Sequence, residues 1–441
     1  MAVVSADSLQ LSHVELVAGA VPASPVMELW RTTGETLVFE PNTTESAELG
    51  GDGRTRKPAN VTGMAVSGDI SFELAKFQAL DDAIEGVLAE DWGQCPLTGA
   101  PGGAIDTTSR VTIGKDQKSY LIEKRFPNPA TVAGATVSSA VGDSPGATPT
   151  ITYTGAASVG SGVSVIDVSV DGSVEDPVTV DIPVGTDADA AATLVAAALD
   201  TLSSVSASAT TGVVTLTTAG TSITVAARTG NDAYFYHRYF NASYSVLNLS
   251  AAPNASVTGS VTIVGGEPLL DKLALTGATY NSAGSSAVFT APEVMELTVG
   301  SLLGIGTNCW TTLNITIDSQ NRGIPCIGTQ GDRETVLGTA AVTLDGEVYF
   351  SDDEVLQLIL DNATAGDGVV TLTNADDEIY RFDFFGLKPI SGSLNAGGTG
   401  EDLTMPLTFE PTPVAVCDDG AGSDWTSGVI ISTVDTAPTL P

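Results

Sequence analysis

One stretch occurs twice in this chain, and that repetition limits its possible folds more than any other feature. The first copy is Gly68-Asp69-Ile70-Ser71-Phe72, followed by an acidic, apolar run from Leu80 to Leu88. The second is Gly346-Glu347-Val348-Tyr349-Phe350, followed by Ser351 to Leu360. Ile70 and Phe72 alternate with polar neighbours, as do Val348 and Phe350, which is strand periodicity. Leu80, Ile84, Val87 and Leu88 recur at helical spacing and form one apolar face. Ser351 and Glu354 have capping-box spacing, so the second helix is expected to begin at Ser351.

The likeness continues on both sides. Val111-Thr112-Ile113 leads to Tyr120-Leu121-Ile122 and ends at Phe126; Val370-Thr371-Leu372 leads to Ile379-Tyr380 and ends at Phe385. These read as two hairpins of equal length. Upstream, Leu37-Val38-Phe39 and Leu313-Asn314-Ile315 precede the glycine motif at nearly the same distance, each across a polar loop carrying arginine. Strand, long polar loop, strand, helix, hairpin: this order occurs twice and reads as an internal duplication.

A chain of 441 residues holds two or three domains with real cores. Charged residues are sparse at 16%, and Gly, Ala, Ser, Thr and Val dominate, which favours short strands and turns over long helices. The formal net charge of −36 repels phosphate and anionic lipid, so adhesive binding to nucleic acid or membrane is disfavoured. No run of about twenty apolar residues is long enough to span a membrane. Met1 to Leu11 lacks the basic and apolar regions of a secretory signal. Cys95, Cys309, Cys326 and Cys417 show no metal-ligand or redox spacing and are expected as reduced thiols.

The chain divides by composition. Residues 1–126 form a first unit that opens with an extended arm, and 232–266 resume it with the aromatic strand that starts at Tyr234. Between them, 127–231 holds nine Asp/Glu, one basic residue (Arg228) and one aromatic (Tyr153). It reads as a small α+β domain inserted at a hairpin tip, a site that tolerates insertion when the ends lie close together. Its strands are expected at 150–153, 163–170, 177–182, 213–216 and 222–227. Its helix is expected over 187–202, capped by Thr186 or Asp187, with Leu194, Val195, Ala198, Leu199 and Leu202 buried. Residues 267–301 read as a connector, 302–415 as the second unit, and 416–441 as a C-terminal arm that needs a neighbour to order it.

Catalytic and metal chemistry is not indicated. The two histidines, His13 and His237, lie in the N-terminal arm and in an aromatic strand. Gly142-Asp143-Ser144-Pro145-Gly146 matches G-x-S-x-G but lacks the strand before and the helix after that a nucleophile elbow needs. Gly304-Ile305-Gly306 lacks the third glycine of a dinucleotide fingerprint, since Cys309 stands there. Asp187-Ala188-Asp189 and Asp352-Asp353 lack the ligand spacing of a calcium loop and suit helix starts. No cofactor is implied, and the reading is a structural protein rather than an enzyme.

Several of these stretches resemble the major tail tube proteins of long-tailed, siphovirus-like bacteriophages. They are Gly68 to Leu74 with the helix to Leu88, Ser119 to Phe126, Tyr244 to Ser250 running into Val257 to Val261, and Val342 to Phe350. The resemblance covers roughly 20–126 and 232–415; the 127–231 segment looks like small accessory domains of phage tail and sheath proteins. It implies a mainly β fold of β-sandwich or split-barrel tail-tube units, each with a flanking helix, duplicated, plus the small inserted α+β domain. It implies rings whose inner sheets join into a barrel, stacked into a tube through which DNA leaves the capsid. Single-unit members form hexameric rings, so a two-unit chain is expected to form a homotrimeric, pseudo-hexameric ring; a homohexamer is the alternative. The implied partners are further copies of the chain, tail terminator and tail-tip proteins, a tape measure protein in the lumen, and genomic DNA in transit, with no membrane. The implied location is the virion tail, assembled in the host cytoplasm. The polar loops 41–60 and 318–334 resemble inter-ring contact loops, so Arg54, Arg56, Lys57, Arg322, Asp332, Arg333 and Glu334 are expected at inter-ring or inter-subunit contacts.

Two other classes share part of this composition. A secreted or virion-surface Ig-like adhesin or carbohydrate-binding protein would share the Thr/Val/Gly content and the acidity, but Ig-like repeats lack the duplicated strand-helix unit. An acidic hydrolase would need a paired-carboxylate cleft, and nothing singles out a pair.

Overall fold

The computed structural model describes residues 9–45, 59–93, 110–127, 136–139, 150–154, 162–170, 173–174, 178–182, 187–202, 205–218, 223–230, 234–271, 274–300, 303–304, 309–328, 331–350, 353–394, 402–417 and 425–434. The fold is mainly β. It divides into two compact units, one of 11–123, 238–269 and 277–441, the other of 1–10, 124–237 and 270–276.

The larger unit is built on alternating strands. In chain order its labelled elements begin with β1 (Gln10–Glu15), β2 (Val26–Leu29), β3 (Val38–Thr44), β4 (Asn60–Glu73), α1 (Gln78–Leu88), β5 (Arg110–Thr112) and β6 (Tyr120–Pro127). After the other unit's helix, α2 (Ala188–Leu199), come β7 (Tyr234–Ala251), β8 (Thr258–Val264), β9 (Val294–Val299), β10 (Trp310–Asp318), β11 (Arg322–Pro325) and β12 (Asp332–Val336). The remainder are β13 (Ala341–Tyr349), α3 (Glu354–Asp361), β14 (Gly366–Thr373), β15 (Ile379–Gly392), β16 (Thr404–Glu410) and β17 (Val429–Val434).

Eight strands pair antiparallel in the order β3-β4-β8-β7-β10-β13-β16-β15. The first four and the last four have the same internal order: a strand, the glycine-motif strand, then the two arms of a later hairpin. The two halves meet edge to edge where β7 pairs with β10, from Val246↔Asp318 to Ala251↔Leu313. A second sheet runs β9-β14-β15-β17-β5, so β15 belongs to both. Between the sheets lies one core; Phe72, Leu249, Ile315, Leu344 and Phe409 are all buried in it, with Phe382, Phe384 and Ile431 from the second sheet.

The motif glycine has a physical reason in each copy. A Cβ on Gly68 would stand 2.4 Å from Leu37 Cα, and one on Gly346 would stand 2.5 Å from the Trp310 ring. Both lie where the preceding strand crosses close, and only glycine fits.

Several sequence expectations change here. The first hairpin does not form: β5 pairs with the C-terminal strand β17, and β6 pairs with β7. Strand periodicity identified both strands, but their partners are distant in sequence. Val429–Val434, read as an arm awaiting a neighbour, is instead inserted between β15 and β5 of its own chain, with Val429, Ile430 and Ile431 fully buried. The 267–301 stretch contributes β9 to the second sheet, and Thr279–Asn281 pairs parallel with β2. The second helix begins at Glu354, preceded by Asp353, whose side chain makes no capping bond; Ser351 lies outside the described residues.

The N-terminal strand docks on α1 through His13, which is fully buried. His13 Nε2 lies 3.1 Å from Asp82 Oδ2, and Trp30 Nε1 donates to His13 Nδ1 at 3.0 Å. Tyr120 OH caps the same region by donating to the Asp82 carbonyl at 2.8 Å.

In the smaller unit, strands 173–174, 162–170, 178–182 and 223–230 form one sheet, and 205–210, 213–218, 150–154 and 136–139 form another. Asp187 caps α2 by accepting from Ala190 N at 2.7 Å, a contact worth about 1 kcal/mol. The buried face of α2 is Ala191, Ala192, Val195, Ala196 and Leu199, packed on Ile151, Val214 and Leu216. Leu194, expected inside, is 41% exposed, because the buried stripe falls at 191, 192, 195, 196 and 199 and leaves position 194 to one side. Gly142 to Gly146 and Cys95 lie outside the described residues.

Candidate functional site

The eight-stranded sheet has one face on the core and one face to solvent, and polar rungs cross the solvent face over seven of the eight strands. One rung of directly paired residues runs Glu73-Thr258-Ser250-Asn314-Asp345-Thr408-Ser391 across seven strands. The adjacent rung, one residue along each strand except β15, where a register irregularity makes it two, runs Phe72-Gly259-Leu249-Ile315-Leu344-Phe409-Pro389 on the opposite face. A register slip of one residue would exchange the two rungs, so burial of the apolar one sets the other. A further polar rung, Ser71-Ser260-Asn248-Thr316-Thr343, crosses five strands.

Side-chain hydrogen bonds knit this face. Thr262 Oγ1 donates to Asp69 Oδ1 at 2.6 Å, and Thr316 Oγ1 donates to Asn248 Oδ1 at 2.9 Å. At the junction of the two halves lies a depression of about 420 Å³ lined by Asn248, Ser250, Ser260, Asn314, Thr316 and Asp345. Asp69, Glu73, Asp318, Asp345, Glu347 and Glu410 stand on this face by alternation; Lys388, paired opposite Glu410, is the cation there among the described residues. A surface of hydroxyls, amides and carboxylates, whose one cation among the described residues stands opposite a carboxylate, binds water well and gives a phosphate backbone little to hold.

The residues expected at inter-ring contacts separate into two groups. Arg54, Arg56 and Lys57 lie outside the described residues, although β3 and β4 extend into the loop read as 41–60, pairing through Thr44↔Asn60. Arg322, Asp332, Arg333 and Glu334 lie on the β11–β12 hairpin, where Ile324 pairs with Glu334 and Pro325 with Asp332. This hairpin is anchored: Asn241 Nδ2 donates to Arg333 O at 3.1 Å, and Gln117 Nε2 donates to Thr335. Arg322, Arg333 and Glu334 are exposed, whereas the Asp332 carboxyl is tucked against Gly323 and burial pushes its pKa up. The polar rungs were not singled out from the sequence, although alternation in Asn314-Ile315-Thr316-Ile317-Asp318 and Thr343-Leu344-Asp345 signals them.

No curated protein matches the chain. Residues 202–411, just under half of its length, match the family model described as phage tail tube protein. That segment carries β7, β8, β10, β13, β15 and β16, six of the eight strands of the long sheet, so in the part that builds this polar face the chain is similar to the phage tail tube proteins.

Proposed function

We propose that this chain is a structural subunit of a phage tail tube, assembling as stacked rings around a lumen through which DNA passes into the host. The observation that carries the reading is the seven-strand polar rung with its carboxylates, in the segment that matches the tail tube family. A sheet that closes edge to edge leaves no open strands to aggregate. The equivalent order of β3-β4-β8-β7 and β10-β13-β16-β15 supports two ring positions per chain, and hence three chains per pseudo-sixfold ring. An acidic wall repels a polyanion, so DNA slides without adhering. Tail terminator, tail-tip and tape measure proteins are the further partners of such a tube, the exposed Arg322, Arg333 and Glu334 contribute to contacts between rings, and the 127–231 domain decorates the exterior.

Negative-stain electron microscopy of the purified chain, with its solution mass measured alongside, tests this. Rings or tubes with a central hole and three chains per ring are expected. Six chains per ring would retain the tube and remove the two-positions argument; a monomer at high concentration would overturn the conduit.

A further inference from the structure

Lys76 lies in the link between β4 and α1, and backbone bonds hold that link in place. Leu74 N donates to Val257 O at 2.8 Å, Phe289 N donates to Leu74 O at 2.8 Å, and Ala75 bridges to Val288. Lys76 Nζ contacts Oδ2 of Asp81, in the first turn of α1, and the two side chains are only 11% and 12% exposed. Tyr380 of β15, fully buried, donates its hydroxyl to the other oxygen, Asp81 Oδ1, at 2.7 Å. The Lys76 nitrogen stands 5.3 Å over the Tyr380 ring, and Phe289 packs on that ring at 5.6 Å between centroids. A lysine nitrogen, a carboxyl and a hydroxyl donor thus meet in an apolar setting. Burial pushes the Asp81 pKa up even against the neighbouring Lys76 charge. A charge pair taken out of water tends to neutralise, its proton moving from nitrogen to oxygen. Lys118 is the contrast. It meets Glu15, Glu85 and Asp91 together, and, against the effect of burial, the Asp91 and Glu85 carboxylates push its pKa up, so its nitrogen stays an ammonium without a free electron pair.

We infer that Lys76 and Asp81 join in an isopeptide bond that the folded chain forms on itself. The ammonium passes one proton to Oδ2 within the contact, leaving an amine and a carboxylic acid. The nitrogen lone pair then attacks Cγ, and an electron pair of the C=O bond moves onto Oδ1. The Tyr380 hydroxyl is aimed at that oxygen, where charge develops, which is the placement an oxyanion donor needs. As the C=O bond reforms, Oδ2 leaves with its proton and a second one from the nitrogen. One amide forms, one water is released, and no oxidant or other reactant is needed. In water the ionised pair is favoured over its amide. Here burial removes that advantage, and the fixed link supplies the proximity of an intramolecular reaction. The bond ties the end of β4 covalently to the first turn of α1 and takes two charges out of the interior. It requires no second copy of the chain, so it stands or falls apart from assembly.

The test is the intact mass of the purified full-length chain under denaturing conditions, followed by a tryptic digest. The bond lowers the mass by one water relative to the sequence. An acylated Lys76 is no longer a tryptic site, so residues 57–110 are expected as one peptide with the crosslink between 76 and 81. Lys76→Arg keeps a cation but not the nucleophile, and is expected at its full sequence mass with cleavage at 76. Tyr380→Phe keeps the ring and removes the donor, and is expected to lose the water more slowly than the wild type. A wild type at its full sequence mass, cut after Lys76, would leave an ion pair and overturn the bond. A water loss that persists in Lys76→Arg would belong to another site, such as a cyclised Asp345-Gly346, and would overturn the assignment equally.

Discussion

The indole Nε1–H of Trp30 donates to Nδ1 of the fully buried His13 at 3.0 Å. An indole nitrogen can only donate, so Nδ1 carries no proton and the ring's hydrogen sits on Nε2, facing Asp82. Tyr244 OH lies 2.9 Å from the same Nδ1. The N-terminal strand is thereby tied to α1 through one imidazole. Trp30→Phe keeps the ring packing against Phe72 and Phe77 but removes the donor, and should cost about 1 kcal/mol. His13→Phe should cost about 2 kcal/mol, because the half-buried Asp82 loses a donor that helps to hold its carboxyl below the usual range. Urea denaturation of both variants measures the difference; equal, negligible losses would show that the network is structurally idle.

Glu90 introduces a pH dependence. Burial, with Asp116 and Asp91 nearby, pushes its carboxyl up to about 6. The folded state then holds a proton that the unfolded chain releases near 4.5, so this group costs nothing below that value. Stability falls as pH rises from 4.5 to about 6 and stays reduced above it. Glu90→Gln should raise stability by about 1 kcal/mol at pH 7.5 and leave it unchanged at pH 4. Thermal midpoints across that range decide the matter.

Arg238 and Glu123 form an ion pair, Nε to Oε2 at 2.7 Å, with both side chains almost wholly buried. Tyr280 OH donates to the other carboxylate oxygen at 2.7 Å. Glu123→Gln removes the carboxylate charge that this buried guanidinium pairs with and should cost about 3 kcal/mol. The double change Glu123→Leu with Arg238→Met should cost clearly less than Glu123→Gln alone. A double variant less stable than the single would contradict this.

Gly68→Ala should be among the most damaging single changes. The new Cβ meets Leu37 backbone at 2.4 Å, and φ is +154°, which L residues avoid. Neither the backbone nor the dihedral can yield cheaply, so a loss above about 3 kcal/mol is expected. Gly34→Ala, where nothing lies within 4 Å, serves as the control and should stay within about 1 kcal/mol of wild type.

The polar face makes a prediction about DNA. Asp69→Lys, Asp345→Lys and Glu347→Lys together place three cations on it. Assembled wild type should not retard double-stranded DNA at about 50 mM salt, whereas the triple variant should, and raising the salt to about 200 mM should abolish the retardation. Indifference of the triple variant to DNA would mean that this face does not meet it.

Much of this fold was legible in local sequence. Alternation placed β4, β10, β13 and β16, because one side of each strand must be apolar to bury; the Ala-rich run after Asp187 placed α2, because a cap and helical spacing are local signals. The repeated glycine motif was legible as well, and close strand crossing accounts for it in both copies. Strand partners were not legible. Val111-Thr112 and Tyr120-Leu121 look like one hairpin, yet the first pairs with Ile430–Ile431 across more than three hundred residues. A period of two says which side of a strand is buried and nothing about which strand lies beside it. The His13–Trp30 contact, the Arg238–Glu123 pair and the seven-strand polar rung arise only when distant strands are brought into register. By itself the sequence determined the periodicity, the duplication and the acidity. The tertiary structure decided which edges close within the chain and which remain open, because pairing is settled by the joint burial of many strands at once.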